Sequence, residues 1–223
     1  MDGVIKVGGS LGGDAAVLRA LCAELGKLGE RFKLAVVPGG GEFADLVRVV
    51  DRRFQSSQSI SHKMAILGMD QYGLLLSDLI PKCRLAWSLG VIEGLSGSGH
   101  VVVLLPSRVV FRARSLEASW DVTSDSISGY VAGRLGVGKL ILVTDVDGVF
   151  TVDPKVYSGA ELIQEASASG LLELSGRTSV DKFLPKLLLK LGIDCWIVNG
   201  RFPERVAKVL FGESTICTHI AAK

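Results

Sequence analysis

The length, composition and charge of the chain exclude several broad classes of protein. Its 223 residues are 48% hydrophobic, which provides a substantial core and excludes a disordered chain. A formal net charge of +2, with three Trp, three Tyr and eight Phe, gives no basic or aromatic pattern typical of nucleic-acid binding. No apolar run approaches the roughly 20 residues of a membrane span, and the N-terminus lacks the layout of a signal peptide.

The cysteines and histidines form no pattern typical of a metal site or a disulfide framework. Four cysteines lie far apart in the sequence, without a C-x-x-C pair, and three histidines are present. We therefore expect reduced thiols in a cytoplasmic protein. Glycine is the unusual count, because its 27 residues are clustered. Clustered glycine is typical of tight loops in which the backbone approaches a ligand.

The first half of the chain alternates predicted strands, glycine-rich turns and helices. A strand over Val4–Val7 runs into Gly8–Gly13, after which Asp14 can cap a helix that ends at Gly29. A second strand follows over Lys33–Val37. The next predicted elements are helices over 42–54 and 62–79 joined by a polar linker over 55–61, short strands within 83–105 around a glycine-rich loop over 94–99, and a helix that begins after 120–126.

The second half is predicted around an apolar run that breaks abruptly into acidic residues and a glycine. Leu140–Val143 is typical of a buried strand, and Thr144, Asp145, Asp147 and Gly148 follow it. Open α/β sheets bind their ligands at the carboxyl ends of such strands. The elements expected beyond it are a helix over 180–191, a strand over 195–198, a helix over 203–210 and a last strand over 215–220. This alternation predicts an α/β fold in one domain, with a mostly parallel sheet between two layers of helices.

Two glycine-rich turns indicate a site for anionic groups. In the first, Lys6 precedes Gly8, Gly9 and Ser10, whose backbone N–H groups could hold a phosphate within reach of the lysine. An ordinary turn with an exposed lysine explains this segment equally well. The second turn, Gly39–Gly41, has three glycines, which cost much backbone entropy for a mere turn. Since consecutive parallel strands would put the turns side by side, we interpret them as holding two anionic groups close together.

Two other phosphate-related patterns are weaker. Gly133–Lys139 resembles a P-loop, but Leu140 stands where serine or threonine is needed and the segment precedes a strand. Asp145–Asp147 resembles the nucleophile motif of haloacid-dehalogenase-type phosphatases. The acids that follow Asp181 are scattered, without the second acidic pair that such an enzyme needs to hold magnesium. That class remains a minor alternative.

Two predicted helix starts carry residues that can either cap the helix or act at a phosphate site. The N–H groups and hydroxyls of Thr123 and Ser124 suit phosphate, and Asp125 can orient a lysine, although capping alone also explains these residues. Asp181 and Lys182 are charged residues at a second helix start, which can face the same cleft.

The long helix predicted from residue 62 has apolar positions that are typical of a core or of a dimer face. We expect His62 and Lys63 at its start to be structural rather than catalytic. Trp120 and Trp196 are likewise expected to pack in the protein rather than to stack on a substrate.

Taken together, these motifs resemble the amino-acid kinase family, which includes carbamate, acetylglutamate, aspartate, uridylate and isopentenyl phosphate kinases. The matches fall in order along the chain, and the most specific of them covers Thr144–Lys155. The resemblance implies a three-layer fold, in which an open sheet of about eight strands lies between two layers of helices. It also implies that the protein is a cytoplasmic homo-oligomer. It also implies an acceptor-binding part over about residues 1–135 and a part over about 136–223 that binds ATP, with Mg²⁺ held by the ATP phosphates and no confident metal ligand from the protein.

The resemblance further implies roles for individual residues. Lys6 would bridge the transferred phosphoryl group, Asp125 would position the lysines, and Lys182 would stabilise the leaving phosphate. Phosphoryl transfer needs mainly positioning and positive charge, which suits this set. The nucleotide would contact Gly8, Gly9, Ser10, Thr144, Asp145, Asp147, Gly148, Phe150, Asp153, Pro154 and Lys155. The acceptor would contact Gly39, Gly40, Gly41, Thr123 and Ser124.

The acceptor is inferred from finer resemblances. Isopentenyl phosphate kinases place a histidine soon after the triple glycine, where this chain has Glu42–Asp45. Isopentenyl phosphate is therefore disfavoured as the acceptor. Thr123–Asp125 is similar to the acceptor-phosphate segment of uridylate kinases, so the acceptor is expected to be a phosphate monoester. Uridylate, acetylglutamate or carbamate kinase-like activities remain open, as does nucleotide or oxyanion binding without turnover. Four segments most resemble the archaeal branch that phosphorylates aminomethylfuran-methyl phosphate in methanofuran synthesis: His62–Ala65, Gly68–Gly73, Trp120–Ser126 and Ser179–Pro185.

Overall fold

The computed structural model of the chain describes residues 1–95, 99–113, 115–116, 119–152, 154, 156–157, 159–173 and 180–223. The strands formed by these residues are β1 (Gly3–Val7), β2 (Leu34–Pro38), β3 (Cys83–Ala86), β4 (Val101–Leu104), β5 (Lys139–Thr144), β6 (Val149–Phe150), β7 (Leu162–Ile163), β8 (Glu165–Ser167), β9 (Asp194–Asn199) and β10 (Thr218–Ala221). The α-helices are α1 (Ala15–Leu28), α2 (Gly41–Phe54), α3 (Gln58–Leu79), α4 (Leu89–Leu95), α5 (Ser107–Val110), α6 (Ser124–Arg134), α7 (Ala168–Glu173), α8 (Leu184–Leu191) and α9 (Glu204–Phe211). A 3₁₀ helix covers Gly9–Gly13.

Eight strands form one sheet, which confirms the predicted mostly parallel sheet. Its order is β3-β4-β2-β1-β5-β9-β10-β8. Neighbouring strands are parallel except for β9 and β10, which are antiparallel. Lys6 on β1 pairs with Val37 on β2 and with Leu142 on β5. Because these three strands run in one direction, the segments that follow them meet at the same edge of the sheet.

Helices cover both faces of this sheet, as the alternation of elements predicts. Successive residues of a strand point to opposite faces, and Val4 and Ile5 of β1 belong to different apolar clusters. Val4 packs in a cluster with Ile127 of α6 and Leu188 of α8. Ile5 packs in a cluster with Leu21 of α1. The central strand is therefore buried on both sides and forms a rigid support for the residues at its carboxyl end.

Several predicted boundaries were wrong. Helix α3 begins at Gln58, so it takes up much of the linker predicted over 55–61. Helix α8 begins at Leu184 rather than near residue 180, because the carboxylate of Asp181 accepts the N–H groups of Phe183 and Leu184. The predicted last strand over 215–220 is β10, which begins at Thr218 and runs antiparallel to β9.

The structure also contains elements that the sequence analysis did not predict. Helix α4 follows β3 in the region expected to hold short strands, and residues 96–98 of the predicted glycine-rich loop lie outside the described residues. Strands β6 and β7 form an antiparallel hairpin, and β8 and α7 follow it. The four cysteines are free thiols. In the part of the chain that the structure describes, no helix is long and apolar enough to span a membrane.

Candidate active site

A buried ion pair lies at the carboxyl end of the central strand. Nζ of Lys6 is 2.8 Å from Oδ1 of Asp125, and the two side chains are only 11% and 10% exposed. Asp125 lies in the first turn of α6, and its Oδ2 accepts the backbone N–H of Asp181 at 3.3 Å. Buried charges are costly unless they are paired and hydrogen-bonded, so these contacts hold one ammonium group in a fixed position.

The two glycine-rich turns are in direct contact, which confirms their predicted side-by-side arrangement. A Cβ at Gly9 would lie 2.1 Å from the backbone N of Gly41, and a Cβ at Gly39 would lie 2.5 Å from the backbone N of Gly9. Gly41 has a φ of +55°, in the region that favours glycine. A Cβ at Gly8 would lie 3.6 Å from Nζ of Lys6. Backbone packs on backbone here, and the lysine ammonium lies beside the contact.

A cavity of about 470 Å³ opens in front of these turns. It brings together predicted site residues from three separate segments: Gly9, Ser10, Gly40, Gly41, Thr123 and Ser124. Two predicted glycines, Gly8 and Gly39, are not among the lining residues. They have a supporting position, since Gly8 N–H donates to Val143 and Gly39 N–H donates to Val7.

The rest of the cavity wall was not predicted as a binding surface. His62 and Trp120, which we expected to be structural, both line it, together with Arg48. Arg48 makes a cation–π contact with Trp120, since its guanidinium carbon lies 5.0 Å from the ring centroid. Its NH1 also forms an ion pair with Oδ1 of Asp45 at 2.6 Å. Burial lowers the pKa of His62 below its ordinary value of 6.5, and a hydrogen bond with the backbone of Ser119 partly opposes this shift.

Helical spacing could have identified these wall residues. Glu42 and Asp45 are three residues apart on α2, and His62, Ile66 and Met69 follow the spacing of one face of α3. All five line the cavity. The sequence pattern of α3 indicates an apolar face, but it does not tell whether that face meets the core, a partner or a cavity.

The segment after β5 joins the predicted nucleotide site to the first glycine turn. Oδ1 of Asp145 accepts the hydroxyl of Ser10 at 3.1 Å and the hydroxyl of Thr144 at 3.3 Å. Asp147 has a different environment, because its Oδ1 is bound by NH1 of the buried Arg205 and by Nδ2 of Asn199 at 3.0 Å. Asp147 is thus tied to β9 and α9, and its contacts are those of a structural ion pair.

A buried threonine on β10 of the main sheet, Thr218, contacts the hairpin that follows. The hydroxyl of Thr218 accepts the N–H of Val149 at 2.8 Å and donates to the carbonyl of Ile163 at 2.5 Å. A Cβ at Gly148 would lie 2.2 Å from this hydroxyl oxygen, so glycine is required for the close approach. The predicted contact Phe150 lies on β6 and Pro154 lies between β6 and β7, whereas Asp153 and Lys155 fall outside the described residues.

The remaining predicted catalytic residue, Lys182, lies two residues before the first residue of α8. Its side chain is exposed, and it directly follows Asp181, whose backbone N–H binds Asp125. The chain segment that carries Lys182 therefore meets the Lys6–Asp125 pair.

The chain combines an open, mostly parallel sheet with a buried lysine beside two glycine turns. Among solved structures with this fold, the uridylate kinase from Archaeoglobus fulgidus superposes with a TM-score of 0.79, covering 99% of this chain and 100% of that chain at 22% sequence identity. This likeness shows the fold. The sequence model of the amino acid kinase family matches residues 3–199, and the chain belongs to this family.

Similar sequences of known activity are also kinases. The (5-(aminomethyl)furan-3-yl)methyl phosphate kinase of Methanocaldococcus jannaschii is 36% identical over 217 residues, which cover 97% of this chain and 96% of that kinase. The uridylate kinase of Pyrococcus abyssi is 24% identical over 229 residues, covering 94% of this chain and 95% of that enzyme. The family resemblance seen in the motifs is confirmed, and the protein is a phosphotransferase. The haloacid-dehalogenase alternative is wrong, because the fold and family are different.

Proposed function

We propose that this protein transfers the γ-phosphoryl group of ATP to an acceptor that is itself a phosphate monoester, so that a diphosphate forms. The observation that carries the proposal is the buried ion pair of Lys6 and Asp125 beside the two touching glycine turns. It provides a fixed positive charge next to half-buried glycine backbone at the wall of a cavity. Phosphoryl transfer depends mainly on such positioning and electrostatic stabilisation.

In the proposed reaction, an oxygen of the acceptor phosphate attacks the γ-phosphorus and the bond from that phosphorus to the β–γ bridging oxygen breaks. ADP is the leaving group. The ammonium of Lys6 stabilises the equatorial oxygens, and Asp125 keeps that ammonium in place. We assign Lys182 to the charge that develops on the leaving phosphate. Magnesium would be held by the phosphate oxygens of ATP and would supply further neutralising charge.

We assign the acceptor and the nucleotide to different parts of one domain. The cavity wall formed by Gly40, Gly41 and the start of α6 would bind the acceptor, with Ser124 at its phosphate and Thr123 beside it. The segment from Thr144 through the β6–β7 hairpin would bind ATP, and the contact between Ser10 and Asp145 joins the two parts.

The acceptor that we favour is (5-(aminomethyl)furan-3-yl)methyl phosphate, the compound in the name of the M. jannaschii relative and an intermediate expected for methanofuran synthesis. The chemistry of the cavity supports this choice. Ile66, Met69 and Trp120 offer apolar surface for a furan ring. The carboxylates of Glu42 and Asp45 carry the charge opposite to that of an aminomethyl group.

Phosphorus NMR of the protein with ATP and Mg²⁺ tests both levels of the proposal. The acceptors to compare are the aminomethylfuran ester, uridine monophosphate and isopentenyl phosphate. We expect coupled diphosphate signals and matching ADP with the aminomethylfuran ester. A diphosphate from uridine monophosphate alone would overturn the acceptor and keep the kinase. ATP binding without any transfer would overturn the kinase activity.

We also infer a homo-oligomer in the cytoplasm. The four free thiols are consistent with a reducing compartment. Large apolar side chains are exposed on α2 and α3, and exposed apolar surface of this kind is typical of protein interfaces. They are Phe43, Leu46, Val49, Phe54, Ile60, Leu67, Leu74 and Leu75. Light scattering after size-exclusion chromatography would measure the assembly, and a monomer at micromolar concentration would contradict the inference.

A further inference from the structure

The carboxylate of Asp181 joins the starts of two helices. Its Oδ2 accepts the N–H of Thr123 at 2.9 Å, the hydroxyl of Thr123 at 2.8 Å and the N–H of Ser126 at 3.0 Å, all at the start of α6. Its Oδ1 accepts the hydroxyl of Ser126 and the N–H groups of Phe183 at 3.2 Å and Leu184 at 2.8 Å, at the start of α8. A carboxylate that caps a single helix would need only the last two of these contacts.

The contacts of Asp181 surround Asp125. Thr123 and Ser126, which the carboxylate of Asp181 binds, stand on either side of Asp125 in the sequence. The backbone N–H of Asp181 binds Oδ2 of Asp125 at 3.3 Å, and Oδ1 of Asp125 pairs with Lys6 at 2.8 Å. Asp181 therefore holds Asp125 in two ways: its carboxylate binds the neighbours of Asp125, and its backbone N–H binds the Asp125 carboxylate. Lys182 is the next residue after Asp181 in the chain.

From this geometry we propose that Asp181 is a positioning residue for phosphoryl transfer. Its carboxylate holds α6 against α8, and this arrangement aligns Asp125 with Lys6 and brings Lys182 to the same place. The inference rests on the proposed function and adds to it a residue that does not itself contact substrate. Small misplacements of catalytic groups cost about 100-fold in rate, so a connection of this kind affects turnover more strongly than nucleotide affinity.

The same contacts restrict how α6 can bind the acceptor. Asp181 already uses the N–H groups and hydroxyls of Thr123 and Ser126, so the hydroxyl of Thr123, which was predicted to contact the acceptor, is engaged within the protein. Ser124 lines the cavity and lies between them. It is thus the residue of this helix start that we assign to the acceptor phosphate, with Thr123 acting mainly through its position.

The test compares Asp181→Asn with wild type at saturating acceptor, with active sites counted by ATP-analogue binding. An asparagine presents an NH₂ group to some of the donors that the carboxylate accepts, so the arrangement of α6 and α8 is disturbed. We expect kcat per binding site to fall by about 10- to 100-fold while KM for ATP changes by less than about threefold. Asp194→Asn is the control, because Asp194 accepts the N–H of Ala222 at the opposite end of β9.

A milder pair of variants keeps the test decisive if Asp181→Asn does not fold. Ser126 and Ser128 are both fully buried on α6, but only Ser126 binds Asp181, whereas the hydroxyl of Ser128 donates to the carbonyl of Ser124. We expect Ser126→Ala to lower kcat per binding site about 3- to 10-fold relative to Ser128→Ala, with ATP affinity unchanged.

The possible outcomes separate this inference from the proposed function. Equal kcat per binding site for Ser126→Ala and Ser128→Ala, or an Asp181→Asn enzyme within twofold of Asp194→Asn, would make Asp181 a structural cap and overturn the inference alone. Loss of ATP affinity in place of kcat would also overturn it. If wild type transfers no phosphoryl group to any phosphate monoester, the proposed function fails, and the role of Asp181 in transfer fails with it.

Discussion

The proposed site joins two regions that are built in different ways. Around Lys6, a strand buried on both faces pairs with a parallel neighbour on each side, and two glycine turns pack backbone against backbone. Around Phe150, strands of two residues each form a separate hairpin. That hairpin is attached to the main sheet through Thr218, and the loop before it through the pair of Asp147 and Arg205.

This difference indicates different tasks. A group that stabilises developing charge works best when it is already in place before the reaction. The buried ion pair with Asp125 holds the ammonium of Lys6 in such a fixed position. The hairpin has strands of only two residues, and although Val149 is buried in the apolar core, Phe150 is only half-buried. Segments held by so few backbone pairings open locally at low cost in free energy, which suits a part that must admit and release a nucleotide. Changes near Lys6 should therefore affect transfer and global stability, and changes near the hairpin should affect nucleotide binding.

The largest effect is expected from Lys6→Met. It removes the charge at the transferred group, so turnover should fall by about 10²- to 10³-fold. It also leaves Asp125 buried without its partner, which should lower the free energy of unfolding by about 3 kcal/mol. Urea unfolding measures the second effect. Lys27→Met is the control, since Lys27 is 73% exposed in its pair with Glu24.

The double variant Lys6→Met/Asp125→Asn sharpens this prediction. Removing both charges should restore much of the stability while turnover stays low, because the cost comes from an unpaired buried charge. A Lys6→Met protein as stable as Lys27→Met would show that the pair is not buried in solution.

The contact between the glycine turns predicts the next largest effect. Gly9→Ala would bring a Cβ to 2.1 Å from the backbone N of Gly41, so one turn must move. We expect a loss of about 3 kcal/mol in the free energy of unfolding. Gly13→Ala, in the same 3₁₀ helix, has no heavy atom within 4 Å of the added Cβ and should have a much smaller effect on the melting temperature. Similar melting temperatures for the two variants would contradict the contact.

At the hairpin, Thr218→Val replaces the hydroxyl with a methyl group and leaves the N–H of Val149 without its partner. The cost of an unsatisfied buried group is about 2 kcal/mol, and we expect ATP to bind about tenfold more weakly as the hairpin loosens. Thr218→Ser keeps the hydroxyl and should retain most of the affinity. Calorimetry of ATP binding distinguishes these outcomes, and unchanged affinity in Thr218→Val would separate the hairpin from the nucleotide.

The smallest effect concerns pH. Burial lowers the folded-state pKa of His62 below 6.5, so the unfolded chain binds a proton more readily than the folded protein. The stability contributed by neutral His62 is complete above the unfolded pKa and is lost as pH falls below it. His62→Gln should therefore flatten the decline in the free energy of unfolding between about pH 6.5 and about pH 5. An unchanged slope would mean that His62 does not contribute to it.

The strongly patterned parts of the fold could be predicted from the sequence. The glycine turns after β1 and β2 follow apolar runs, and Asp14 accepts the N–H groups of Ala16 and Val17 as a helix cap should. The pairing of Lys6 with Asp125 was implied only by the family resemblance, since no local pattern connects residues so far apart. The paired strands β6 and β7 are too short to show the alternation that identifies a strand.

The features that escaped prediction depend on contacts between distant segments. The cap residue Asp181 was recognised at one helix, but its bonds to Thr123 cross from one helix start to another and leave no signal in either segment. The cavity wall combines α2, α3 and the segment around Trp120. Each segment alone is compatible with ordinary packing, so only the tertiary arrangement reveals a binding surface.

Single-turnover phosphoryl transfer, measured together with the dissociation constant for ATP, tests the division of tasks most directly. For Lys6→Met we predict a transfer rate constant reduced by at least about 100-fold with ATP affinity nearly unchanged, and for Thr218→Val weakened ATP binding with transfer at saturating ATP nearly unchanged. The contrary result, in which Lys6→Met transfers at the wild-type rate or Thr218→Val loses transfer without losing affinity, would contradict the account.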